Sequence, residues 1–267
     1  AVGKQAGSST TDATNITVMG EKAGKTKTTG DSLTAFGRHA LHSATGNNNT
    51  AVGNNAGYSI STGTNNVIMG HYAGSSFQTG SENTIIGGNA GGGSSLGSYN
   101  VIVGKSCNQN NEGQRNVFIG QGAIAYRSGT ASDNVIIGQA AAEFLTNGNH
   151  NAGVGKDVFD DISTGSDNSA LGSNAGDTLT TGSNNLFLGH DAFPSSATVS
   201  NEITLGDTNI TKFRIPGLSY TIDDGGRVLV NGTGSSSPDG FNSLLQVNSG
   251  NHEGSITIGR HTANSNG

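Results

Sequence analysis

Large apolar residues in this chain do not form helical stripes. They stand in short runs that recur at a fixed distance. Val2, Met19, Phe36, Val52, Met69, Ile86, Val103, Ile119, Ile137, Val154, Leu171, Leu188 and Leu205 each precede a glycine, from Gly3 to Gly206, in steps of 16, 17 or 18 residues. Three residues after the glycine comes a small one in most repeats, as at Ala23, Ala40, Ala56, Ala73, Ala90, Ala123, Ala141, Ala175 and Ala192, which fits a tight inner corner. A second glycine, often within Thr-Gly, follows at Gly30, Gly46, Gly63, Gly80, Gly148, Gly165 and Gly182, where a positive-φ turn is expected. Between the turns, segments such as Val67-Ile68-Met69 and Thr84-Ile85-Ile86 are β-branched and too short for helices. The pattern predicts an all-β parallel β-solenoid, or β-roll, of about 17-residue coils stacked with a rise of about 4.8 Å.

Asn49, Asn66, Asn83, Asn100, Asn116, Asn134, Asn151, Asn168 and Asn185 all lie four residues before the repeat glycine. Stacking would place these amides one above another as a hydrogen-bonded ladder. The other reading is that Asn serves only as a turn residue.

Neighbouring strand residues face opposite ways, so with the pre-glycine residue taken as interior, the residue before it should point outward. That position reads Val18, Ala35, Ala51, Ile68, Ile85, Ile102, Phe118, Ile136, Ala170 and Phe187, interrupted by Gly153 and Thr204. Both faces of the strand therefore ask for burial. Identical rods around a common axis would cover the outer strip, and an intertwined homotrimer is the preferred assembly. A wide single-chain solenoid that buries both sets is the alternative. On the trimer reading, Asp at Ile102 or Ile136 is expected to dissociate or aggregate the fibre.

The 44 glycines and the 31% hydrophobic share do not suit an ordinary globular core but do suit a repeat, in which each coil buries only a few side chains. A net charge of -6 argues against nucleic acid as a partner. No run approaches a membrane-spanning helix, so no membrane insertion is expected. Cys107 is the single cysteine and occupies the corner slot that alanine fills elsewhere, which suits a packed thiol. Residues 1–209 form the repeat shaft. Residues 210–267 read as a small C-terminal β-hairpin region, with strands in 218–230 around Asp223-Asp224-Gly225-Gly226, a flexible connector at 232–240, and a second pair at 244–247 and 255–258 joined through 248–254. Ala1 falls in mid-strand and Asn264 to Gly267 lack a closing element, so the natural chain is expected to continue in both directions.

No catalytic, cofactor-binding or metal-binding set is expected, and no enzyme activity. The acids fall in turns such as Asp160-Asp161 and Asp223-Asp224, although carboxylates meeting across subunits would suit glycoside cleavage. His71 and His190 read as surface residues, and His252 and His261 flank the last strand. Gly91 to Gly97 lacks the lysine and helix of a phosphate loop and reads as a turn.

The motif Asn-x-x-x-Gly-x-x-Ala-Gly with a trailing Thr-Gly, as from Asn66 to Gly80, resembles the head of trimeric autotransporter adhesins and a group of bacteriophage tail fibres with longer coils. The period here suits the tail fibres better. The stretch from Asn201 to Arg214 looks like the segment that closes such repeat regions, and Val230-Asn-Gly-Thr-Gly with Leu244 to Val247 is similar to a recurrent fibre linker. The resemblance implies a virion tail fibre that attaches to the host, with a host cell-surface glycan or protein receptor and other virion tail proteins as partners. A bacterial cell-surface adhesin is the runner-up, and a polysaccharide-degrading tailspike the rival of a different class.

Overall fold

Two glycines per coil set how closely the coils approach. A Cβ on Gly70, whose φ is +138°, would lie 2.6 Å from the carbonyl oxygen of Gly87 in the next coil. A Cβ on Gly63 would lie 2.3 Å from the carbonyl oxygen of Gly80. The second glycine is therefore required by close backbone approach. Among the described residues it does not have the expected positive φ, since Gly46, Gly63, Gly80, Gly148, Gly165 and Gly182 have none; Gly30 lies outside them. Left-handed corners instead fall on residues such as Asn65, Tyr72 and Gly74.

This close stacking builds the sheet seen in a computed structural model, which describes residues 1–27, 31–93, 95–125, 128–215, 220–223 and 228–230. The strands are β1 (Thr14–Met19), β2 (Asp31–Phe36), β3 (Asn49–Val52), β4 (Val67–Met69), β5 (Thr84–Ile86), β6 (Val101–Val103), β7 (Val117–Ile119), β8 (Val135–Ile137), β9 (Ala152–Val154), β10 (Ser169–Leu171), β11 (Leu186–Leu188) and β12 (Ile203–Leu205). They form one 12-stranded parallel sheet in sequence order, in the register Ile68↔Ile85, Ile85↔Ile102 and Ile102↔Phe118. The repeat is thus an all-β solenoid of about 17-residue coils, with no helix among the described residues. The chain divides into two units, 1–209 and 210–267. In the second, β13 (Lys212–Ile215), β14 (Tyr220–Asp223) and β15 (Val228–Val230) pair antiparallel in that order. The expected connector at 232–240, the strands at 244–247 and 255–258, and the turn residues 224–226 lie outside the described residues.

The strand faces are the reverse of the expected ones. Ile68, Ile85, Ile102, Phe118, Ile136 and Phe187 are buried inside the coil, while the pre-glycine residues Met69, Ile86, Val154, Leu171 and Leu188 are exposed. The physical reason is volume. The coil interior is narrow, so a bulky residue at one inward position must meet a small one at another. The coil with Ile68 at mid-strand carries Gly74 six residues on, but the coil with Gly153 at mid-strand carries Phe159 there, whose ring would lie 2.9 Å from a Cβ on Gly153. The inward column therefore varies in size, and the outward column is free to be uniformly large.

The asparagine column is a ladder. Asn66 donates from its backbone N at 3.0 Å and from Nδ2 at 3.0 Å to Asn49 Oδ1, and its Nδ2 also donates to Gly80 O at 3.0 Å. The same three bonds recur at Asn100, toward Asn83 Oδ1 at 2.9 and 3.2 Å and Gly113 O at 3.1 Å. The column is buried from Asn49 to Asn185. Its ends are closed by other residues. Leu33 stands where the coil before Asn49 would have its amide, and the buried ammonium of Lys27 caps Thr45 O at 2.7 Å and Gly46 O at 2.9 Å instead. At the far end Glu202 takes the column position, donating its backbone N to Asn185 Oδ1 at 2.8 Å.

Replacing Asn100 with Ala removes the partner of Gly113 O and of two Asn116 donors. At about 1–3 kcal/mol for each buried group left unpaired, a loss of roughly 3 kcal/mol or more is expected in urea unfolding. The exposed change Thr164→Ala should stay within about 0.5 kcal/mol. A second test addresses volume. Gly153→Ile should destabilise by about 1–3 kcal/mol through overpacking, and Phe159→Gly by about 3–5 kcal/mol through a cavity. Together they reproduce the Ile68 and Gly74 arrangement, so the double variant should be more stable than the two losses added together. Strict additivity would refute the compensation.

Candidate functional site

Because each repeat position is copied coil by coil, surface chemistry falls into columns. The largest such surface is the outer sheet face. Its pre-glycine column includes Met69 at 46%, Leu171 at 54% and Leu205 at 45% exposure, and the column two residues earlier adds Val67, Val135 and Ile203. The expected apolar strip is present, but it is formed by these residues and not by Ile102 and Ile136, which are core. A single chain leaves the strip open, contrary to the alternative of a wide coil that buries both sets.

The segments after the repeat glycine carry the polar chemistry. Five residues past it, Glu143, Asp160 and Asp177 occupy one column on successive coils, with Asp157 and Asp161 beside them. Burial foremost, then Glu143, Asp177, Asp161 and Asp157, pushes the Asp160 carboxyl up to about 6, and its Oδ1 is buried without a hydrogen-bond partner. Burial also raises Asp177, with the neighbouring Asp161, Asp157 and Asp191 adding to it, and Glu143, with Asp157 adding to it. The sequence reading treated Asp160 and Asp161 as separate turn acids. The spacing 143, 160, 177 equals the repeat period and could have disclosed the column.

A second column alternates basic and acidic side chains. Arg115 donates to both oxygens of Asp133 at 2.6 and 2.9 Å, while His150 lies 3.4 Å from Asp167 and 4.0 Å from Asp133. The Arg115 hydrogen bonds hold the Asp133 carboxyl below its usual range.

Nearer the N-terminal coils, His39, His42 and Tyr58 form a ring cluster. The rings of His42 and Tyr58 stack at 4.9 Å, and those of His39 and His42 meet edge-on at 5.5 Å. His71 is exposed, as expected, and lies 4.4 Å from the Tyr72 ring. His190 is exposed too, and with the half-buried Asp191 and Asp207 it brings three possible ligand atoms within 4.8 Å of one another. Cys107 is buried, donates to Phe118 O at 3.4 Å, and is pushed up to about 12 by burial, as a packed thiol should be. His252, His261 and Asp224 lie outside the described residues, and Asp223 ends β14. Among the described residues, no helix is long and apolar enough to cross a membrane.

No protein family matches the chain, and no curated protein or solved structure was found to be similar to it.

The acid column makes stability depend on pH. In the fold Asp160 keeps its proton up to about 6, whereas the unfolded chain releases it near 3.8. Stability therefore falls as pH rises through that window and returns on acidification. Asp160→Asn should raise the melting temperature by a few degrees at pH near 8 and change it little near 4. Equal shifts at both pH values would contradict this reading.

Proposed function

We propose that this chain is a structural, non-enzymatic part of a bacteriophage tail fibre, assembled from three copies, which spans distance and presents a host-recognition surface. The observation that carries the reading is the open apolar face of β1 to β12. At about 4.8 Å per strand it runs for roughly 50 Å, well beyond what a soluble monomer usually leaves exposed. Three copies about one axis would cover it, each offering the same strip to the others. A coil that buries few side chains and repeats indefinitely also suits a part whose task is length.

The period and the Asn201 to Arg214 segment favour a phage fibre in the virion over an adhesin on a bacterial cell surface, which the same geometry would serve. Partners on this reading are a host cell-surface glycan or protein and the other tail proteins, with no nucleic acid and no membrane insertion. One observation favours an enzyme instead. A half-buried acid with a raised pKa beside further carboxyl groups, as at Asp160, resembles the arrangement glycoside cleavage uses. Release of reducing ends from a host polysaccharide, lost in Asp160→Asn, would select the tailspike.

Light scattering on the purified chain should give three times the 26.8 kDa chain mass. Ile137→Asp and Leu171→Asp, on the outer face, should reduce the particle to one chain while the coils still melt cooperatively. Ile102→Asp should instead lower the melting temperature sharply, because it places a charge in the coil interior. A wild-type mass of 26.8 kDa would overturn the trimer.

A further inference from the structure

The ring cluster lies on the segments that follow the repeat glycine, outside the strands whose outer face assembly would cover. There Arg38, His39, Asn55, Tyr58, Tyr72 and Ser75 line an open cleft of about 440 Å³. The cleft joins two aromatic rings to short polar side chains and is shallow, a combination suited to a ligand with an apolar face and a hydroxylated rim. Tyr72 is 42% exposed, and Tyr58 is held in place by its stack on His42. His39 sets its Nδ1 3.3 Å from Asn55 Oδ1 and leaves Nε2 buried without a partner.

Arg38 lines the cleft, and Lys22 and Lys25 stand on the preceding coil at the repeat positions of His39 and His42, although the chain is acidic as a whole. Lys22 and Lys25 lie close enough to lower the proton affinity of His42, a smaller effect than burial and the neighbouring His39. Arg38 is 3.3 Å from Glu21, which offsets one of the three cations. A carboxylate on a ligand would find two lysines and the exposed edge of a guanidinium, whereas a neutral sugar would use only the rings and hydroxyls.

We infer that this cleft binds a carboxylate-bearing saccharide, with the Tyr72 and Tyr58 rings against the sugar face and Arg38, Lys22 and Lys25 drawing in the acid group. The inference deepens the host-attachment reading and rests on it. It assigns recognition to side chains of the shaft itself, and it places them where trimer packing through the sheet face leaves them open.

The test is isothermal titration of the full chain with oligogalacturonate, oligosialate and hyaluronan fragments, beside maltotriose as the neutral control. At least one acidic oligosaccharide should bind tenfold or more tightly than maltotriose, and its affinity should fall with added salt. Tyr72→Ala should weaken it at least tenfold, and Lys25→Gln several-fold. Both changes are at exposed or partly exposed side chains, and each variant is checked for unchanged melting and mass. Failure of all three acidic probes, equal affinity for maltotriose, or an unaffected Tyr72→Ala variant would overturn the inference. Light scattering of the same samples separates the two readings. A trimer that binds no acidic saccharide rejects the cleft alone, whereas a monomer that binds one rejects the fibre alone.

Discussion

A buried asparagine amide has two donor hydrogens and an acceptor oxygen to satisfy, and the solenoid satisfies them with the next coils. In Asn66, Nδ2 bonds both the oxygen of Asn49 and the carbonyl of Gly80, and Oδ1 accepts from the backbone and side chain of Asn83. No coil can do this alone, because Asn49 and Asn83 belong to its neighbours. The ladder also fixes register, since a slip by one residue would leave every amide buried and unpaired at once. The glycines follow from it. For an amide to span the coil to a carbonyl such as that of Gly80, the two backbones must approach closer than a Cβ allows.

A ladder that runs on its neighbours needs different chemistry where the neighbours stop. Lys27 provides donors where Leu33 cannot, and the desolvation that lowers its pKa is offset by carbonyls and by Asn47 Oδ1 at 2.9 Å. Glu202 has no side-chain donor to pass on. Its backbone N completes Asn185, and its carboxylate turns away to accept from Ser195 and Thr204. The two ends of the ladder thus replace the amide with residues that satisfy only one side.

Period, strand positions and parallel stacking were legible in the sequence because the glycine and asparagine positions tolerate so little else. The facing of the strands was not, for a definite reason. Met69 and Ile68 are both large and apolar, and alternation alone cannot say which is inside. The cue lay elsewhere. The inward column shrinks to Ala35 and Gly153, and there the bulky side chains of Leu41 and Phe159 occupy a position that is glycine in other coils, such as Gly57 and Gly74. Correlated size marks an interior, and uniform size marks a face free of such limits. Lys27 was illegible for the opposite reason, since nothing local to it announces that its carbonyl partners have lost their asparagine.

The same copying that stacks amides also stacks charges, and this limits what the surface can carry. A like charge repeated at one position sits about one coil rise from its copy, near 4.8 Å, where repulsion is strong. The two charged columns show the two ways out. Arg115, Asp133, His150 and Asp167 alternate acid with basic groups, so neighbours attract. Glu143, Asp160 and Asp177 do not, and burial first, with the neighbouring acids adding to it, leaves a carboxyl at Asp160 that holds its proton to about 6. A surface of turns in Ser, Thr, Asn and Gly avoids the problem, which accounts for a charged fraction of only 12%. Where a column does concentrate acids, or where rings and basic side chains gather as they do around His39 and His42, the repeat has kept an arrangement that stacking alone disfavours, and that departure is the physical ground for looking to those positions for function.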